Sequence, residues 1–102
     1  MKIELNISSI LYGAMVYWNK IEDAARYYIK LYIDEQELET VEIGRNKYYH
    51  TFQGLANYYR KSYYVQVQAE NRIGEIVALS EKKAFNIDGT LEVVDNSNSI
   101  CL

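Results

Sequence analysis

A chain of 102 residues with one cysteine gives one domain, long enough to bury a core without disulfide staples. Hydrophobic residues make up 49% and charged residues 25%, an ordinary balance for a globular chain. The net charge of −3 argues against a phosphate-binding surface, which needs clustered Lys and Arg, and no apolar run is long enough for membrane insertion to be expected.

Period-two alternation runs along most of the sequence. Ile3, Leu5 and Ile7 share one face of a first strand, and Ala14, Val16 and Trp18 share one face of a second, opposite Met15 and Tyr17. Tyr27, Ile29, Leu31 and Ile33 alternate with Tyr28, Lys30 and Tyr32. A short mixed strand over Leu38 to Ile43 stops at Gly44, and His50 and Phe52 oppose Tyr49 and Thr51 before Gly54. Tyr63, Val65, Val67 and Ala69 alternate with Tyr64, Gln66, Gln68 and Glu70, and Ile76 to Phe85 supplies a last strand. About seven short strands separated by turn signals are the pattern of an all-β, two-sheet sandwich.

Residues 19–33 also admit a helix. Asn19 with Glu22 three residues on reads as an N-cap, and Ile21, Ala25, Tyr28 and Tyr32 form a helical stripe. The strict alternation of β-branched and aromatic residues over Tyr27–Ile33 tips the reading to a strand. With no proline in the chain, edge strands depend on charges such as Lys2, Glu4, Glu37, Glu39, Lys82 and Lys83.

From residue 87 the character changes. Residues 1–86 read as the sandwich and 87–102 as an extension: Asp88-Gly89 is a turn signal, Leu91–Val94 suits a short strand, and the rest suits a disordered tail or linker. Cys101, beside the end, closes no internal disulfide. Lys2 and Glu4 place charges too early for a signal-peptide apolar region. No signal peptide is read, and an extracellular or virion-associated location is expected if the chain is a fragment of a longer protein.

Trp18, Ala24 and Tyr27, followed by Leu55, Tyr63, Val65, Val67, Ala69, Asn71, Gly74 and Ser80, form an ordered set that resembles the fibronectin type III family over roughly residues 3–86. The Ala24/Tyr27 spacing is similar to bacterial and phage members. The resemblance implies an immunoglobulin-like sandwich of about seven strands. Its structural core would include Trp18, Tyr27, Leu55, Tyr63, Val65 and Val67, with Tyr63 as the corner tyrosine returning its hydroxyl to backbone near residues 55–59. The segment from Leu55 to Tyr63 is about two residues longer than the family pattern, and the family's usual prolines and its Arg-Gly-Asp motif are absent.

Chemistry-bearing residues are few. His50 is the single histidine, so no metal cluster and no Cys/His nucleophile pair is expected; no cofactor and no catalytic residue are assigned. Glu22-Asp23 and Asp34-Glu35 lack the spacing of a calcium loop and read as solvated turns.

Tyrosine exceeds expectation, with eleven residues and adjacent pairs at 27/28, 48/49, 58/59 and 63/64. In a strand each pair sends one ring inward and one outward. With the third and sixth strands side by side, Tyr28, Lys30, Tyr32, Tyr64 and Gln66 form a candidate interaction face, and Tyr58, Tyr59 and Arg60 candidate loop contacts. The expected function is a non-catalytic module that contacts a protein partner or spaces other domains. The alternative is a carbohydrate-binding accessory module that takes a glycan.

Overall fold

The computed structural model describes residues 2–55 and 61–87, so Tyr58, Tyr59, Arg60, the Leu91–Val94 segment and Cys101 lie outside the described residues. Eight strands follow in order: β1 (Leu5–Ile10), β2 (Gly13–Trp18), β3 (Arg26–Ile33), β4 (Gln36–Gly44), β5 (Tyr49–Phe52), β6 (Tyr63–Glu70), β7 (Ile76–Leu79) and β8 (Lys83–Phe85). They form two antiparallel sheets. One has the order β1-β2-β5; the other has five strands but is four strands wide, in the order β4-β3-β6-β7, with β8 also pairing β6.

The alternating burial of β3 and β6 follows directly from their sequences. Tyr27, Ile29 and Leu31 on β3 and Val65, Val67 and Ala69 on β6 are almost wholly buried, and they meet Ala14, Val16 and Trp18 from the facing sheet. Trp18 contacts Tyr27 edge-to-face at 5.6 Å between ring centroids, and Tyr27 contacts Tyr48 in the same manner at 6.2 Å. The Tyr27 hydroxyl accepts the Ile21 N–H and so is paired, whereas the Trp18 indole Nε1 is buried with no hydrogen-bond partner among the described residues. Tyr63 is buried and stacks on Phe85 at 5.6 Å; Leu55 packs against the core from a partly buried position.

The residues that could have begun a helix form a connection instead. Asn19 spends its side chain on the first segment: its carbonyl oxygen accepts the Glu4 N–H and its amide donates to the Lys2 carbonyl. Ile21 goes into the core while Tyr28 and Tyr32 face outward, so the helical stripe is divided between two surfaces.

The last strand is broken where the sequence pattern runs straight through. Ser80 leaves the ladder and separates β7 from β8, and a bulge between Ala69 and Glu70 shifts the β7 register. A second irregularity, opposite Leu31 and Tyr32, interrupts β4. At one lateral seam β1 and β8 close the two sheets through side chains. Lys83 Nζ donates to the Leu5 carbonyl at 3.0 Å and Ser9 Oγ to the Asn86 carbonyl at 3.3 Å. Both contacts advance along the chain together, so β1 and β8 run in the same direction.

Candidate functional site

The outer face of the four-stranded sheet is laid out by the pairing of β4, β3, β6 and β7. One row reads Glu42, Tyr28, Gln68 and Leu79; the next Thr40, Lys30 and Gln66; the third Glu37, Tyr32, Tyr64 and, on β8, Ala84. Tyr32 and Tyr64 are direct cross-strand partners, and Lys30 is the partner of Gln66. Tyr28 stands two residue pairs away from Lys30's flank on the same face, close to the exposed Leu79 and Ile76 on β7.

This face is partly covered by its own side chains. Tyr28, Lys30, Tyr32, Tyr64 and Gln66 are all half-buried. Lys82 lays its ammonium 4.0 Å from the Tyr32 ring centroid, a cation–π contact. Gln66 donates to the Ser80 carbonyl and Gln68 to Glu70. The long polar chains thus lie down on the sheet beside the half-buried rings. Leu79, Ile76 and Lys82 belong to the surface but carry no signal in the sequence alone, because their place depends on the β7 bulge and the Ser80 break.

Two other surfaces stand out. At one end of the sandwich, the β2–β3, β4–β5 and β6–β7 connections enclose a shallow depression lined by Glu22, Asp23, Arg45, Arg72 and Ile73. Ile73 is 78% exposed beside it, and the turn below is closed by Gly74 at a φ of +89°, a conformation that suits glycine. On the opposite sheet Tyr17 and Tyr49 are cross-strand partners on its outer face.

His50 is on the inward side of β5, opposite Val16, with its ring edge-to-face on Phe52 at 4.7 Å. Burial holds its pKa below the ordinary 6.5, the Lys47 charge acts in the same direction, and Glu39 opposes both. Asp34, in the β3–β4 turn at a φ of +50°, accepts the Ser62 N–H and so has a structural partner. Among the described residues no group of three or more His, Cys, Asp and Glu side chains is placed to hold a metal ion. Nor is any helix among them long and apolar enough to cross a membrane.

No family model matches the chain, and no curated protein matches its sequence. Its fold does match solved structures. The crystal structure of the FN5 domain of Drosophila Lar superposes with a TM-score of 0.65 at 16% sequence identity, covering 86% of this chain and 96% of that one. That likeness, with the β1-β2-β5 and β4-β3-β6-β7 sheets, makes this a fibronectin type III-like β-sandwich.

Proposed function

We propose that the chain is a non-catalytic module that spaces neighbouring domains and contacts a protein partner through the outer face of its four-stranded sheet. The observation that carries this reading is the row Glu37, Tyr32, Tyr64 with Lys82 over the Tyr32 ring. A second row, from Tyr28 across Gln68 to Leu79, carries the surface to the sheet edge. Aromatic and aliphatic groups set among charges of both signs are what protein contact surfaces use. The Ala24/Tyr27 resemblance supports a bacterial or phage surface-associated source, and with it an extracellular or virion-associated place.

Carbohydrate binding beside a polysaccharide-degrading domain is the alternative. On this face it has the weaker support, because Glu37, Glu42, Lys30, Arg26 and Glu70 surround the rings with charge.

Affinity capture from envelope and lysate, read by mass spectrometry, tests the contact. The comparison is wild type against a Tyr28→Ser/Tyr32→Ser/Tyr64→Ser variant of unchanged melting temperature. A partner held by wild type and lost by the variant supports the face; equal capture by both moves the contact elsewhere; no partner for either leaves spacing as the function.

A further inference from the structure

Of the chain's eight asparagines, Asn6 alone has a serine or threonine two residues on, in Asn6-Ile7-Ser8, with no proline between. This sequence falls on β1, the outer strand of the three-stranded sheet. Strand parity puts Glu4, Asn6 and Ser8 on one side; all three are exposed, whereas the alternate Ile3 and Leu5 are buried. The amide and the hydroxyl two residues on therefore share one open face.

The Asn6 amide is also free for chemistry. Asn19 spends its side chain on the Glu4 N–H and the Lys2 carbonyl, and Asn71 accepts the Ile73 and Glu75 N–H groups in the β6–β7 turn. Among the described residues no hydrogen bond engages the Asn6 side chain or the Ser8 hydroxyl. The ties from β1 to β8 use the Leu5 carbonyl and the Ser9 hydroxyl, on either side of them.

We propose that Asn6 is a covalent N-glycosylation site. An oligosaccharyltransferase joins Asn6 Nδ2 to the anomeric carbon of an oligosaccharide carried on a polyisoprenyl diphosphate. The C–N bond forms as the anomeric C–O bond breaks; the lipid diphosphate leaves with the electron pair, and a carboxylate of the transferase takes the amide proton. Bacterial transferases of this class also require an acidic residue two places before the asparagine, where this chain has Glu4. The surroundings suit an attached sugar in two ways. Asn6 is the cross-strand partner of Tyr17, a 40% exposed ring about 4.8 Å away on β2, so the first sugar has an aromatic neighbour. Leu5–Ile10 also lacks the charges and prolines that guard an edge strand against pairing with another chain, and a bulky, solvated glycan supplies that guard. The site takes up the extracellular placement given above and is independent of the four-stranded contact face.

Expression behind a secretion signal, in one host with a eukaryotic and one with a bacterial oligosaccharyltransferase, tests the site by intact mass and peptide mapping. Wild type is expected to gain the mass of the host's oligosaccharide on Asn6. Asn6→Gln and Ser8→Ala, two independent changes at exposed positions, are expected to gain none, and Glu4→Gln to lose most of its occupancy in the bacterial host. In light scattering the glycosylated form is expected to stay monomeric at concentrations where Asn6→Gln associates. Folded, secreted wild type with no added mass in either host, or added mass that survives in Ser8→Ala, overturns the proposal. Acceptance in a host, with an unmodified chain from the natural source, counts against the extracellular placement and not against the site.

Discussion

Ser80 and Val67 hold each other through two hydrogen bonds of different kinds: the Ser80 N–H donates to the Val67 carbonyl at 2.9 Å, and the Val67 N–H donates to the Ser80 hydroxyl at 2.8 Å. The side-chain oxygen stands where a strand carbonyl would, so the backbone leaves the ladder at this point without orphaning a buried donor. The same hydroxyl donates on to the Glu81 carbonyl.

Ser80→Ala removes that acceptor and leaves the Val67 N–H buried and unsatisfied. A loss of about 1–3 kcal/mol is expected, read from urea unfolding. Ser80→Thr, which keeps the oxygen, is expected to lose less. Equal loss for both would mean that volume at the site, and not the hydrogen bond, matters.

Gly13 sets the closeness of β2 to the end of β5. A Cβ at that position would stand 2.0 Å from the Phe52 carbonyl oxygen, a backbone atom with no side-chain freedom to move away. Gly13→Ala is therefore expected to destabilise by about 1–3 kcal/mol or more. Gly44→Ala, where the added carbon meets nothing within 4 Å, is expected to have little effect. Thermal melts of the two variants side by side check this.

His50 makes stability depend on pH in a defined direction. The unfolded chain takes up a proton near the ordinary value of 6.5, whereas burial and Lys47 hold the folded histidine neutral to lower pH. Between the two values the unfolded state binds more protons, so stability falls as pH drops below 6.5 and is kept above it. His50→Gln is expected to flatten that slope. Urea midpoints at about pH 7.5 and about pH 5.5 for both proteins give the comparison, and an unchanged slope in the variant would assign the dependence to other groups.

The ion pairs are expected to divide by burial. Arg26 and Glu70 meet at 3.3 Å with side chains 28% and 17% exposed, and the same guanidinium donates to the Asn71 carbonyl. A double-mutant cycle on this pair is expected to give a coupling of about 1 kcal/mol, the upper end for exposed pairs. Lys20 and Glu22, at 4.0 Å with 60% and 73% exposure, are expected to show none that can be measured.

What could be read in the sequence is what strand parity controls. Tyr27 with Tyr28 and Tyr63 with Tyr64 divide between core and surface because neighbours in a strand point to opposite sides. What could not be read is set by partners distant in sequence. Tyr17 and Tyr49 become neighbours only when β2 pairs β5, and neither carries a local signal of the other. Lys82 reaches Tyr32 because Ser80 breaks the last strand, and Leu79 joins Tyr28's row because of the β7 bulge. The half-burial of the outer tyrosines has the same origin: it depends on where Gln66, Gln68 and Lys82 lay their chains, not on alternation.

The same-direction run of β1 and β8, tied by Lys83 to Leu5 and by Ser9 to Asn86, has a mechanical consequence. The chain enters this sandwich at one pole and leaves toward the other. Tension applied through β1 and β8 would load their side-chain ties and the flanking ladders to β2 and β6 lengthwise and together, in shear, instead of opening them one bond at a time. A chain built from such units would transmit pull along its axis while each unit kept its lateral faces clear.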